Sequence, residues 1–210
     1  MTQYLDPAAH RPVRANSITV VIPTIAPRRH MLARALDSVT RQTIRPIVDI
    51  AVEVSEDTEH AGAAVTRQRG LARVTTQWVA FLDDDDEFQP DHLEKLLTHA
   101  LYLGADYVYS WYTVVGGTDP FPENFGRPWN PAAPIQTTIT TLVRAELAQA
   151  VGFDTVPDGV LGEDGHRRGE DHRFTLGCQT AGGVISHLPE RTWIWHHHGS
   201  NTSGMPDRWH

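Results

Sequence analysis

Apolar positions along this chain follow two spacings in turn. Residues 17–24, SITVVIPT, are β-rich and almost continuously apolar, as in a strand covered on both faces, and Pro23 ends the run. In HMLARALDSVTRQT, which follows, Leu32, Leu36 and Val39 fall on one helical face. Residues 49–54, DIAVEV, read as a second strand. Residues 62–77, GAAVTRQRGLARVTTQ, read as a helix or helical turn with arginines on its polar side. WVAFL at 78–82 is a third strand. PDHLEKLLTHALYLG is a helix: Pro90 suits its first turn, Asp91 complements the dipole there, and Gly104 ends it. DYVYSWY at 106–112 is a fourth strand.

This alternation predicts an α/β fold, a mostly parallel central sheet with helices on both faces. Ligands of such sheets bind beyond the carboxyl ends of the strands. The second half changes character. Residues 116–134 are rich in Gly, Pro and aromatics, and an irregular segment of that length is usually functional. A strand (TTITTLV), a short helix stopped at Gly152, a loop, a helix starting near Glu170 and two apolar stretches, GVISHLP and TWIWHHHGSNTSG, complete the chain.

Composition narrows the function classes. The 210 residues suffice for one domain with a real core, and 40% hydrophobic residues is ordinary for a globular chain. A formal net charge of −8 argues against coating a nucleic acid, but leaves room for a small anion held by a few arginines and a metal. A single cysteine, Cys178, allows no disulfide within the chain. No apolar signal core opens the sequence and no apolar run reaches bilayer length, so the expected location is cytoplasmic, with peripheral membrane docking compatible.

Three stretches carry candidate chemistry. FLDDDDEF at 81–88 sets four aspartates directly after an apolar strand. Such a run is either a solvated turn leading into a helix or a site for Mg²⁺ or Mn²⁺, hard cations that take carboxylate oxygens and substrate phosphates. GEDHRF at 169–174 is either a plain helix start, where acids suit the dipole, or a catalytic acid pair. GEDGH at 162–166 has a similar composition but lies in a Gly-rich loop with no apolar helix after it. In WIWHHHGSNTS, alternation puts His196 and His198 on one face. In the loop containing Phe121, Phe125 and Trp129, aromatic faces suit the apolar patches of sugar rings, and Trp129 is a candidate acceptor contact.

The ordered set VVIPT, TRQRGLA, WVAFLDDDDEFQPDHL, GED and HGSNTS, from about Ser17 to about Ser203, resembles the inverting GT-A fold nucleotide-sugar glycosyltransferases, the large family that includes cellulose- and chitin-type synthases. The resemblance implies a lead-in at 1–16 and one domain at 17–210, with a nucleotide-sugar half at 17–112 and an acceptor and catalytic half at 113–210. It implies that Asp85 ligates a metal and that Asp83 or Asp84 meets ribose or a metal-bound water, while Asp86 supports the loop. Asp171 becomes the general base and Glu170 orients the acceptor. A late His completes the metal or diphosphate site: His198, with Asn201 and Ser203, or else His196. A nitrogen ligand beside carboxylates suits Mn²⁺ somewhat better than Mg²⁺. Pro23 and Thr24 would line the nucleobase pocket, Glu53 or Asp57 would read the base, and Arg67 would contact the nucleotide, with Arg69 nearby. The reaction implied is metal-dependent transfer of a sugar, with a UDP-sugar favoured as donor, to a hydroxyl of a glycan, lipid carrier, protein or small molecule. Two other readings stand beside it. A nucleotidyltransferase or metal-dependent phosphohydrolase would also use carboxylates and a divalent ion, although PTIAPRR lacks the glycines of a phosphate loop. An inactive sugar-nucleotide-binding module is the other.

Overall fold

A computed structural model describes residues 16–45, 47–154 and 169–198. The strands are β1 (Ile18–Thr24), β2 (Ile50–Glu56), β3 (Trp78–Phe81), β4 (Glu87–Phe88), β5 (Tyr107–Val115), β6 (Thr141–Arg144) and β7 (Ile185–His196). The helices are α1 (Arg29–Thr40), α2 (Ala63–Leu71), α3 (His92–Leu103), α4 (Ala145–Val151) and α5 (Glu170–Thr180). The strands form one sheet in the order β2-β1-β3-β6-β5-β7-β4. β1 pairs parallel with β2 and β3, and β5 pairs parallel with β7. β6 runs against β3 and β5, and β4 runs against β7.

The first half matches the strand and helix expectations, with α2 ending at Leu71, short of the predicted segment. Two features elsewhere add to them. β7 is one continuous strand that joins the two apolar stretches across Pro189. Its register on β5 jumps between Tyr109↔His187 and Trp111↔Arg191, so a bulge absorbs Pro189. The two-residue β4 carries too little pattern to read, and its pairing with Trp193 and Ile194 defines it.

This topology collects chemistry on one edge. β1, β2 and β3 end there, and the antiparallel β4 and β6 begin there. Gly70 has no room for a side chain, since an added Cβ would lie 2.6 Å from Val21 Cγ1. Its absence lets α2 close onto β1 and carry Arg67 inward. Phe81 on β3 packs edge-on against Phe153 and Phe174, which stack on each other at 4.4 Å. Tyr107 Oη and Thr175 Oγ1 hydrogen-bond at 2.9 Å. These contacts lock α5 against the sheet so that its first turn reaches the residues following β3. No helix among the described residues is long and apolar enough to cross a membrane.

Candidate active site

The aspartates after β3 do not form a loose hydrated turn. Leu82 N–H donates to the Val21 carbonyl (3.2 Å) and Asp86 N–H to the Asp83 carbonyl (3.2 Å). Downstream, Phe88 N–H donates to the buried Ser38 Oγ at 3.1 Å. Gln42 donates to the Gln89 carbonyl and accepts from Leu93 N–H. The segment is therefore anchored from β1, α1 and α3, and Asp84, Asp85 and Asp86 are all buried.

Each aspartate has a distinct partner set. Asp84 Oδ2 accepts from Thr24 Oγ1 at 2.7 Å, and Asp84 Oδ1 accepts from Arg28 at 3.1 Å. Arg28 also reaches Asp85 Oδ2 at 3.4 Å. Arg34 donates to the Asp85 carbonyl at 2.6 Å. Asp86 Oδ1 accepts the His196 backbone N–H at 3.0 Å. Asp83 Oδ1 pairs with Arg67 at 2.5 Å. Burial raises the pKa of Asp83, Asp84 and Asp86, and in all three the charge of Asp85 adds to it. Asp86 is pushed well above the ordinary range, by burial first and then by the charges of Asp85 and Asp83. Burial works against the charge on Arg28, but Asp85, Asp84 and Asp83 outweigh it, and its pKa ends raised.

Asp83, Asp85 and Asp86 each offer one oxygen within 4.8 Å of the others, a spacing suited to one divalent cation. His198 Nε2 lies 3.0 Å from Asp85 Oδ2. Clustered, mutually repelling carboxylates, those of Asp85 and Asp86 buried, beside an imidazole nitrogen form a donor set that fits Mn²⁺ or Mg²⁺, with Asp86 in the triad as well as supporting its loop. His196 is placed otherwise: its Nε2 meets Glu87 Oε1 at 2.7 Å, and its ring is used to fix β7 to β4.

The second acid cluster comes from the first turn of α5. Arg67 joins it to the aspartates. Its guanidinium, 4% exposed, bonds Asp83, Glu170 and Asp171, the last at 3.4 Å. Burial opposes its charge, yet Asp83, Asp171 and Glu170 more than compensate and its pKa is raised. Arg67, expected on the nucleotide, thus has its terminal nitrogens engaged by three carboxylates. The Glu170 side chain is 11% exposed and the Asp171 side chain 28%. Asp171 lines a pocket of about 550 Å³, measured with its open mouth, together with Asp83 and Asp86.

The other expected residues divide. Pro23 and Thr24 end β1 at the site edge. Asp57 follows β2 at the same edge, but its oxygens accept the backbone N–H groups of Glu59, Ala61 and Gly62. Burial would raise its pKa, and those bonds lower it overall. Glu53 is not brought to the edge, because it sits mid-strand opposite Val21 and pairs with Arg73 at 2.6 Å. Trp129, expected to meet an acceptor, packs against the core, edge-on to Tyr109, and donates to Gln179 Oε1 at 3.1 Å. Asn201, Ser203 and the GEDGH segment lie outside the described residues. Arg28, Arg34, Glu87 and the pocket wall of Trp111, Tyr112, Trp193 and Trp195 were not singled out from sequence. The period-two TWIW pattern of β7 held the signal for the two tryptophans, which point to one face.

Known proteins resemble this chain in sequence and in fold. The family described as Glycosyl transferase family 2 matches residues 47–149. The chain is 34% identical over 68 residues to the putative teichuronic acid biosynthesis glycosyltransferase TuaG of Bacillus subtilis, covering 32% of this chain and 27% of that protein. It is 33% identical over 133 residues to the succinoglycan biosynthesis protein ExoW of Rhizobium meliloti, covering 52% of this chain and 41% of that one. The chain thus spans less than half of these relatives. S. aureus TarS 1-349, solved in complex with UDP-GlcNAc, superposes with a TM-score of 0.69 at 15% identity, over 91% of this chain and 63% of that one. Residues 47–149 are therefore similar to glycosyl transferase family 2, and the chain shares the GT-A fold of its structural neighbour TarS.

Proposed function

We propose that this chain transfers a sugar from a nucleoside-diphosphate sugar, a UDP-sugar first among candidates, to an acceptor hydroxyl in one metal-dependent, inverting displacement. One observation carries the reading: Asp83 and Asp86 after β3, and Asp171 from α5, distant in sequence, line a single pocket. Asp85, Asp86, Asp83 and His198 would hold a divalent cation, Mn²⁺ or Mg²⁺, which supplies charge stabilisation to a departing diphosphate. Thr24 and Arg28 hold Asp84, and through it the loop, in position. Asp171, the more open of the acid pair, takes the proton of the acceptor hydroxyl. As it does so, the acceptor oxygen bonds to the anomeric carbon on the face opposite the leaving group. The bond from that carbon to the diphosphate oxygen breaks, and the diphosphate leaves with the electron pair. Glu170 stays on Arg67 and keeps α5 in register with the aspartates.

The UDP and UDP-GlcNAc complexes of TarS support a UDP-sugar donor, and the names of TuaG and ExoW direct the acceptor search towards polysaccharide assembly. Calorimetric titration of UDP, GDP and dTDP, each with and without Mn²⁺, tests the reading. UDP binding that requires Mn²⁺ is the expected result. If no diphosphate binds under either condition, the proposal fails. Turnover that releases phosphate or pyrophosphate in place of UDP would favour the phosphohydrolase or nucleotidyltransferase reading.

A further inference from the structure

We infer that the acceptor is an uncharged sugar unit, seated by the β5–β7 aromatic wall with a hydroxyl or ring oxygen on the Trp193 indole N–H. The inference rests on the glycosyl-transfer reading and adds the chemical class of the second substrate. It starts from the charges facing the pocket: Asp83, Asp86 and Asp171 line it, and among the described residues no arginine or lysine does. A divalent cation and the donor diphosphate roughly cancel one another. The remaining carboxylates face Arg67, which is already committed to Asp83, Glu170 and Asp171. A phosphodiester or uronate presented here would meet like charge, with no cation among the described lining residues to pair it.

The rest of the lining suits a neutral polyol. Residues 136–140 supply Gln and Thr side chains, whose amide and hydroxyl groups both donate and accept. Aromatic residues make the other wall, and their polar atoms are used unequally. Asp119 accepts from Trp111 Nε1 at 2.8 Å, from Tyr112 Oη at 2.9 Å and from Phe121 N–H at 2.9 Å. Burial alone would raise the Asp119 pKa, but these bonds hold it below the ordinary value. Trp111 and Tyr112 are thereby satisfied from behind. Trp193 lines the same pocket and is 1% exposed, yet its Nε1 has no hydrogen-bond partner among the described residues. A buried donor left unpaired is costly, and an acceptor oxygen in the pocket removes that cost.

The test compares acceptors with each of three donors in turn, under one metal. With UDP-GlcNAc, UDP-glucose and UDP-galactose as donors, transfer is measured to cellobiose, lactose and chitobiose. The same donors are then offered glycerol phosphate oligomers and hexuronate disaccharides. Transfer to the neutral set at least tenfold above the anionic set supports the inference. Equal or better transfer to an anionic acceptor overturns it and leaves the glycosyltransferase reading intact. Loss of all Mn²⁺-dependent UDP binding removes both. In Trp193→Phe, which keeps an aromatic ring but loses the N–H, the KM for the neutral acceptor rises roughly threefold to tenfold while UDP affinity holds. An unchanged acceptor KM in a folded Trp193→Phe protein, judged by its circular dichroism, overturns the assigned contact.

Discussion

The two acidic clusters of the site are built in opposite ways. Of the aspartates after β3, Asp84, Asp85 and Asp86 are buried, and the run is approached from several elements: Arg28 beyond β1, Arg34 on α1, Arg67 on α2 and the His196 backbone on β7. The pair at the start of α5 rests on the dipole of its helix and on Arg67, and leaves Asp171 the more open. The contrast separates two tasks. A cluster that holds a cation gains from rigid convergence, whereas a base must stay reachable by a substrate that comes and goes. Asp171→Asn tests this division most severely. It keeps the shape and removes the proton acceptor, so turnover should fall about 10²-fold to 10⁴-fold while the Kd for UDP with Mn²⁺ stays put. A large loss of UDP affinity would show that the two clusters share one task.

Arg67 is where the clusters meet, and the next largest effect is expected there. Arg67→Met leaves Asp83, Glu170 and Asp171 facing one another without their shared cation. Breaking a buried ion pair in this way costs on the order of 3–5 kcal/mol, which urea unfolding would read directly. Arg67→Lys restores a charge but not the fork that reaches both clusters, so stability should recover more than turnover does. If Arg67→Met is as stable as the parent, the arginine is not the tie between them.

The metal side can be separated from its scaffold through its two histidines. His198→Ala should weaken Mn²⁺ binding about 10-fold to 100-fold, the range typical of residues that support a metal site. His196→Ala should act chiefly on stability, since its ring serves Glu87. The pH dependence has a definite sign. Asp83, Asp84 and Asp86 have folded pKa values raised above the unfolded ones. Without metal, the folded state holds more protons, so their contribution to stability falls as pH rises above the ordinary carboxylate value of 3.8. Mn²⁺ needs the same groups ionised. The rise in Tm on adding Mn²⁺ should therefore grow with pH across that window, and a pH-independent rise would argue against these ligands.

The same two regions differ in how far the sequence discloses them. The parallel half is written in local pattern. The apolar runs of β1 and β3, Gly104 after α3 and the aspartates at the expected strand end all follow from nearest-neighbour chemistry. Gly104 does adopt φ +64°, the left-handed cap that its place implies. What stayed hidden depends on long-range pairing. β4 exists only because β7 comes back to it. Arg28 reads as a polar loop residue until the fold brings it to Asp84. Arg67 looks like one more solvated helix arginine because nothing local announces that α5 will close over it. Glu53 and Asp57 were offered together by proximity to the end of β2. Strand register, which local pattern does not reveal, sends one to Arg73 and the other to the edge.

The smallest expected effect concerns Trp129, whose place in a Pro-flanked loop suggests sugar contact and whose structure suggests otherwise. Its ring meets Tyr109 edge-on at 6.2 Å, and its Nε1 donates to Gln179 on α5. Trp129→Phe keeps an aromatic body and removes that one hydrogen bond. The loss should be about 0.5–1.5 kcal/mol in unfolding free energy, with acceptor KM unchanged. Trp193→Phe removes the same indole N–H on the pocket side and should move KM. The two variants make one chemical change in two places, so they separate an aromatic that fastens the loop from one that meets the substrate. A shift of acceptor KM in Trp129→Phe equal to that in Trp193→Phe would extend the acceptor surface out to the loop and erase the boundary drawn between them.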